Sequence, residues 1–171
     1  DVQAYRTLVG KRLGVPAVYL RQVHGAKGID ISKDTAPNLE ADVAWTAQTG
    51  VACTIMAADC LPILVCHRTA KWVAGAHAGW RGLAGQNGHG VVETLAQAVN
   101  AVGLQTQDCL VWLGPCIGPT AFEVGQDVYD AFAELLPVAN PATALFVPTS
   151  TGKYMADLAS LARERLKHAG F

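Results

Sequence analysis

Two continuous apolar runs of strand length in the middle of the chain constrain its fold more than any other feature. They are Val51–Met56 and Leu61–Cys66, and the short polar sequence Asp59-Cys60 lies between them. Uninterrupted apolar runs of this length are typical of strands buried on both faces, whereas strands with one wet face alternate polar and apolar residues. We therefore predict two neighbouring buried strands that flank a buried carboxylate and a buried thiol.

Strand-like and helix-like segments alternate along the rest of the chain. β-Branched and aromatic residues predict further strands over 17–23, 71–76 and 110–113. Apolar residues at helical spacing predict helices over 2–13, 91–102, 124–136 and 155–168. The polar stretches 27–40 and 140–152 are predicted to be loops. With 171 residues, of which 51% are hydrophobic, the chain is expected to form one α/β domain over residues 1–171.

Charge and composition exclude several classes of function. The 13 Lys and Arg residues nearly balance the 14 Asp and Glu residues, so no basic surface for nucleic acid is expected. The apolar runs are shorter than the ~20 residues that a membrane helix needs. The five cysteines form no CxxC pair, which favours reduced thiols in a cytoplasm. We expect a soluble cytoplasmic protein that acts on a small molecule, as a monomer or a homodimer.

His24, Cys60 and His77 each stand at the predicted end of a strand. Imidazole nitrogen and thiolate both bind zinc, and a catalytic zinc typically keeps three protein ligands and one open position. The trio fits that count. A buried core cysteine with hydrogen-bonded core histidines is the alternative for the same residues. A further alternative is a thiol hydrolase, in which Cys60 is the nucleophile and His77 or His24 is the base.

The carboxylate of Asp59 needs a compensating partner if it is buried between two apolar strands, because an unpaired buried charge is strongly unfavourable. A metal ion, an arginine or backbone donors could compensate it, and Arg81 is the nearest candidate cation. The guanidinium of Arg81 is suited to hold a phosphate or another oxyanion beside a glycine-rich loop. The alternative for Arg81 is a solvated surface side chain.

Five short motifs follow one another in a specific order. They are Gln22-Val-His-Gly25, Ala58-Asp-Cys-Leu-Pro62, His77-Ala-Gly-Trp-Arg-Gly82, Gly114-Pro-Cys-Ile-Gly118 and Phe122-Glu-Val-Gly125. Together they resemble the motifs of the YfiH family, also called the laccase-domain or multicopper polyphenol oxidoreductase family. The resemblance implies a compact α/β domain with a mixed β-sheet core flanked by helices, related in layout to cysteine-hydrolase-like folds. It also implies that His24, Cys60 and His77 are the metal ligands.

Two competing activities are implied by this resemblance. Family members are described as purine nucleoside enzymes, which phosphorolyse adenosine, inosine, guanosine and methylthioadenosine and deaminate adenosine. An older description makes them copper-dependent phenol oxidases. A multicopper oxidase needs a trinuclear cluster and a separate blue-copper site, and five histidines without an H-x-H pair are too few for both. We therefore expect zinc, with copper as the alternative, and a nucleoside and phosphate as the small-molecule partners.

The matching motifs suggest roles for individual side chains. We expect Cys60 to serve at the catalytic centre, with Asp59 positioning or accepting a proton and Arg81 holding an oxyanion. Gln22, Gly79 and Arg81 are expected to contact the substrate.

The chain departs from the family pattern at both ends. It lacks the segments expected before Asp1 and after Phe171, and one wall of the substrate site would be missing if the native protein lacked them too. The stretch Gln86–Gly90 is also slightly longer than the pattern. A non-catalytic binding protein, in which the trio forms a structural site, is the remaining alternative.

Overall fold

A computed structural model describes residues 1–133, 135 and 145–171 of the chain. The helices in these residues are α1 (Val2–Leu13), α2 (Trp80–Ala84), α3 (Val91–Ala101), α4 (Gln126–Ala133) and α5 (Leu158–His168). The strands are β1 (Ala17–Val18), β2 (Gly28–Asp30), β3 (Val43–Thr46), β4 (Ala52–Cys53), β5 (Leu61–His67), β6 (Val73–Ala78), β7 (Cys109–Leu113), β8 (Glu123–Gly125), β9 (Phe146–Ser150) and β10 (Lys153–Ala156). This mixture confirms the predicted α/β class.

The central element is a five-stranded sheet with the strand order β2-β3-β6-β5-β7. β2 and β3 run parallel, whereas every other neighbouring pair in this sheet is antiparallel. Two smaller sheets accompany it, since β1 pairs in parallel with β4, and β8, β10 and β9 form an antiparallel sheet. The mixed β-sheet core with flanking helices that the family resemblance implies is therefore confirmed.

Burial alternates along β5. Leu61, Ile63 and Val65 are buried, and they belong to the main core together with residues of α3 and α5. Between them Leu64 is 38% exposed, and it belongs to an apolar surface on the other face of the sheet that also includes Val73, Leu110 and Trp112. The prediction of strands buried on both faces is wrong for the described residues, because an antiparallel sheet can pack helices on one face alone.

The first helix confirms the segment predicted over residues 2–13. The Asp1 side chain caps its start by accepting a hydrogen bond from the backbone N–H of Gln3, and Gly14 ends it with a φ of 70°. None of its residues is fully buried, so α1 lies at the periphery of the fold beside β1. No helix of the described residues is long and apolar enough to cross a bilayer.

Several local predictions are wrong at their boundaries. The predicted strands over 17–23 and 51–56 are reduced to the two-residue strands β1 and β4, which pair with each other. The predicted loop over 27–40 contains β2, and the predicted loop over 140–152 contains β9, while residues 140–144 lie outside the described residues. Pairing between segments far apart in sequence decides these boundaries, and a local pattern does not contain that information.

The one-sided burial of β5 predicts different costs for two neighbouring substitutions. Ile63→Ala removes a side chain from the closed core and is expected to lower the free energy of unfolding by about 2–5 kcal/mol. Leu64→Ala removes a similar side chain from the outer face, and its expected cost is about 1 kcal/mol or less. Urea unfolding of both variants checks this difference, and equal costs would contradict the described packing.

Candidate metal centre

His24, Cys60 and His77 meet at one end of the central sheet. One ligand atom from each, an imidazole nitrogen or the Sγ atom, lies within 4.8 Å of the others. The two imidazole rings are 4.8 Å apart between centroids and stand edge to face. Among the described residues, this is the single group of three or more His, Cys, Asp or Glu side chains close enough to share a metal ion.

Strand register explains how two of these ligands come together. β5 and β6 are antiparallel, with Leu61 opposite Ala78 and Pro62 opposite His77. Cys60 immediately precedes β5, so its thiol lies beside the end of β6. The trio therefore depends on tertiary pairing, which explains its wide spacing in the sequence.

Gly79, directly after β6, gives the ligands the room they need. A Cβ atom at this position would lie 2.9 Å from Cδ2 of His24 and 3.0 Å from Sγ of Cys60. Contacts this short are not tolerated without a shift of the neighbouring atoms. The site thus requires glycine at position 79, whether or not Gly79 also contacts a substrate.

Asp42, which the sequence did not single out, is the hydrogen-bonding partner of the site. Its side chain is fully buried just before β3, and Oδ1 accepts a hydrogen bond of 2.8 Å from Nδ1 of His77. The same carboxylate accepts from the successive backbone N–H groups of Val23, His24 and Gly25 at 2.9–3.1 Å. One buried carboxylate therefore holds both the ring of His77 and the loop that carries His24.

The hydrogen bond from His77 to Asp42 decides which ring nitrogen is free. A carboxylate can only accept, so the proton lies on Nδ1 of His77 and the lone pair lies on Nε2. Metal-binding histidines usually donate their second ring N–H in this way to a carboxylate or carbonyl. The contact prepares His77 to bind a metal ion through Nε2.

The backbone of His24 is also unusual. Its φ is 62°, in the left-handed region that residues other than glycine seldom adopt. The three N–H groups around it point at the Asp42 carboxylate, and such concave runs of backbone donors suit an anion. These hydrogen bonds offset the strain of the turn that directs His24 towards the other ligands.

The environment of Cys60 disfavours a free thiolate. Burial raises the pKa of the Cys60 thiol above its ordinary value, and the carboxylates of Asp59 and Asp42 and the thiol of Cys116 raise that pKa further. A metal ion would reverse this balance, because a coordinating thiol is deprotonated. Two imidazoles and one thiol at this spacing fit zinc or copper by donor type and number.

Two cavities border the centre, and His24 lines both. The larger, about 1100 Å³, is also lined by Trp45, Trp80 and Arg81. The smaller, about 440 Å³, is lined by Cys60 and His77 and by several polar side chains from outside the sheet. His24 is therefore accessible from both cavities, whereas Cys60 and His77 border only the smaller one.

The structure corrects the expectation for Asp59. β4 ends at Cys53, and Asp59 lies in the following loop, where it is exposed and has a φ of 74°. Its carboxylate is not buried between strands and needs no compensating cation. The contact that fixes this loop is made by the main chain, since the carbonyl of Asp59 accepts a hydrogen bond from the N–H of Ile117.

Arg81 and Gln22 take different positions around the ligands. Arg81 is exposed at the larger cavity, with Cζ of its guanidinium 4.4 Å from the centroid of the Trp80 ring. Gln22 lines the smaller cavity, but its side-chain amide donates to the carbonyl of Met56 and accepts from the N–H of Met56. Gln22 thus braces the wall of the cavity.

The family assignment follows from direct comparison. The family model described as multi-copper polyphenol oxidoreductase laccase matches residues 1–171. The chain belongs to this family.

Individual members of the laccase family are also similar to this chain. A purine nucleoside phosphorylase of Pseudomonas aeruginosa is 47% identical to it over 166 residues. The match covers 96% of the chain and 64% of that relative. The purine nucleoside phosphorylase YfiH of Escherichia coli is 41% identical over 153 residues, which are 90% of the chain and 58% of that relative.

Solved structures agree with this laccase-family assignment. A Neisseria meningitidis protein superposes with a TM-score of 0.86 and 38% identity, covering 99% of this chain and 66% of that one. YlmD from Geobacillus stearothermophilus gives a TM-score of 0.86 and 31% identity, covering 96% of this chain and 64% of that one. The chain thus spans 58–64% of the length of the two curated relatives described above.

The central position of Asp42 predicts a defect in metal binding when its charge is removed. The two oxygens of Asp42 share four donors. Asp42→Asn replaces one of these oxygens by an NH2 group, which cannot accept, so the variant cannot satisfy all four donors. We expect zinc affinity to fall about 10- to 100-fold, as is typical when the partner of a metal-binding histidine is lost. Competition with a chromophoric chelator measures this affinity.

Asp34→Asn is the matched control, because Asp34 is an exposed aspartate of a surface loop. Circular dichroism and the thermal midpoint establish that both variants are folded before their affinities are compared. A folded Asp42→Asn variant with wild-type zinc affinity would show that Asp42 does not orient the ligands.

Proposed function

We propose that residues 1–171 form one domain that carries the metal site of a purine nucleoside enzyme, with a single zinc ion held by His24, Cys60 and His77. The observation that carries this proposal is the convergence of two imidazoles and one thiol within 4.8 Å, one imidazole being oriented by a buried carboxylate. Three protein ligands leave a fourth position for a reactant. The relatives named purine nucleoside phosphorylase support the choice of substrate class.

Two reactions are proposed, phosphorolysis of adenosine, inosine, guanosine and methylthioadenosine, and deamination of adenosine. A bound zinc ion would supply Lewis acidity to phosphate or water. In phosphorolysis, a phosphate oxygen bonds to ribose C1′, the C1′–N9 bond breaks, and the base leaves with the electron pair and takes up a proton. In deamination, water adds at C6 of the purine and ammonia leaves. The small-molecule partners are therefore a nucleoside and phosphate.

The surrounding side chains receive roles that fit their positions. Arg81 is proposed to hold an oxyanion of the substrate in the larger cavity, where its guanidinium is accessible. Asp59 is proposed to position or accept a proton, as an exposed carboxylate next to Cys60 in the chain. Gln22 and Gly79 would shape the substrate site, Gln22 by fixing a cavity wall and Gly79 by letting the ligands approach.

Copper-dependent oxidation of phenols is the second candidate, and the description of the family as multi-copper polyphenol oxidoreductase laccase favours it. All five histidines belong to the described residues. These residues nevertheless contain a single group of three side chains that could share a metal ion. Three ligands are enough for a single metal ion but not for a multicopper array. A thiol hydrolase is disfavoured because the raised pKa of Cys60 keeps the metal-free thiol protonated.

The cysteines bear on the compartment in which this enzyme would work. All five are free, and among them Cys109 is buried and the others are partly buried. Free thiols are typical of reducing compartments. We therefore propose that the enzyme acts in the cytoplasm.

Incubation of the zinc-loaded chain with adenosine tests the proposed reactions. With phosphate present, we expect adenine and ribose 1-phosphate, and without phosphate we expect only inosine, because phosphorolysis then lacks its nucleophile. A strong chelator should abolish both products. Separation of the products by liquid chromatography, together with metal analysis, makes the measurement.

Two variants control this experiment. Cys60→Ala should remain folded, lose zinc and form neither product, whereas Cys66→Ala removes a thiol from β5 and should keep both activities. Full activity in the presence of the chelator would instead support the thiol hydrolase. Stoichiometric copper with oxygen consumption on a phenol would support the oxidase, and formation of neither nucleoside product would contradict the proposal.

A further inference from the structure

Arg6 lies at the smaller cavity although it belongs to the peripheral helix α1. It lines this cavity together with Cys60, His77 and His24. Its guanidinium stacks on Tyr19, with Cζ 4.6 Å from the ring centroid, and Nη2 lies 3.1 Å from Sδ of Met56. The side chain is half-buried, whereas most residues of α1 are exposed. These contacts hold a positive charge at the cavity that the three candidate ligands also line.

The donors of Arg6 are largely unused. A guanidinium has five N–H donors, and a thioether sulfur such as that of Met56 is a weak acceptor. Nε of Arg6 is buried and has no hydrogen-bond partner, and in the described residues no carboxylate pairs with this side chain. An unsatisfied buried donor is unfavourable, so such a group calls for an acceptor.

Two other arginines, Arg21 and Arg165, do pair with a carboxylate. Arg21 lines the same cavity, but it forms an ion pair with Glu40. Arg165 is buried, pairs with Glu93 at 2.9 Å and donates to the carbonyl of Gly88. Arg6 therefore places a cation at the cavity of the candidate ligands, and in the described residues no carboxylate forms an ion pair with it.

We propose that Arg6 forms an anion subsite in the smaller cavity and that its ligand is inorganic phosphate. The planar fork of a guanidinium matches two oxygens of a phosphate group, which makes arginine a preferred residue for this anion. The inference rests on the proposed phosphorolysis, in which phosphate is the second substrate. It adds a site for that substrate which is separate from the oxyanion role of Arg81.

The two cavities give this assignment a structural reason. Phosphorolysis brings two substrates together, and His24 lines both chambers. The larger chamber has the indole rings of Trp45 and Trp80, which are suited to a flat purine base. The smaller chamber has the unpaired guanidinium of Arg6, which is suited to a phosphate. Of the three metal ligands, His24 borders both chambers, and Cys60 and His77 border the smaller one.

Calorimetric titration of inorganic phosphate into the zinc-loaded chain tests the subsite. We expect the wild type to bind phosphate and Arg6→Met to bind it about 10- to 100-fold more weakly, which is the effect of losing a charged hydrogen bond. Arg6→Lys should bind with intermediate affinity, because it keeps the charge but loses the fork. Zinc content and thermal midpoint are measured for each protein.

Arg12→Met is the matched control, because Arg12 is an exposed arginine in the last turn of the same helix. This variant should bind phosphate like the wild type. Equal phosphate affinity in the wild type and Arg6→Met, or a wild type that binds no phosphate, would overturn the inference. If Arg12→Met weakened phosphate binding as much as Arg6→Met does, the inference would also be overturned, because the loss of affinity would then follow from the net charge of the protein.

Steady-state kinetics separates this inference from the proposed function. If phosphorolysis occurs, Arg6→Met should raise the KM for phosphate, whereas the control Arg12→Met should leave this KM unchanged. Phosphorolysis with an unchanged KM for phosphate would refute the subsite and leave the function standing. Binding of phosphate that depends on Arg6, without any phosphorolysis, would support the subsite and refute the function.

Discussion

The buried carboxylate of Asp42 is the interaction on which the candidate site depends. A fully buried charge is unfavourable unless donors surround it, and Asp42 has four of them, three from the main chain and one from His77. Without these donors the carboxylate would be destabilising. Without the carboxylate, the loop at His24 would lose its support and His77 would lose its preferred tautomer. The four hydrogen bonds thus offset the cost of burying the charge, and they also hold His24 and His77 in place.

The fold brings Asp42 to this position through the central sheet. Val43, the next residue, pairs with Ala76 across β3 and β6, and the N–H of His77 donates to the carbonyl of Asp42. The strand that carries one ligand therefore also fixes the residue that orients it. On the other side of β6, pairing with β5 brings Cys60 alongside, and Gly79 keeps the space between them open.

The sequence singled out His24, Cys60 and His77 because their residue types are chemically distinctive and stand in recognisable motifs, and the structure brings their ligand atoms within 4.8 Å of one another. It also predicted α1, α3, β5 and β7 closely, because apolar residues at helical spacing indicated the two helices and short apolar runs indicated the two strands. Asp42 was missed, since a single aspartate before an apolar segment has the same local pattern whether it faces solvent or the core. A signal was present in Asp42-Val43-Ala44-Trp45, where a charge directly adjoins a short apolar run, but the partner histidine is 35 residues away.

Asp59 shows the opposite error. Its two apolar flanks suggested burial, yet strand β4 ends at Cys53 and residues 56–59 of the following loop are exposed. The outer face of the sheet was mispredicted for a related reason. Leu64 is as apolar as Ile63, and only the position of the helices decides which of the two is buried. Such outcomes depend on tertiary packing, which a local pattern cannot determine.

X-ray absorption spectroscopy of the zinc-loaded chain tests the central claim most directly, because it identifies the atoms bound to the metal. Our account predicts one sulfur at about 2.3 Å and two imidazole nitrogens at about 2.0–2.1 Å, with a lighter atom in the remaining position. Replacing Cys60 by serine should remove the sulfur contribution. A shell of nitrogen and oxygen alone in the wild type would contradict the assignment of His24, Cys60 and His77 as the metal ligands.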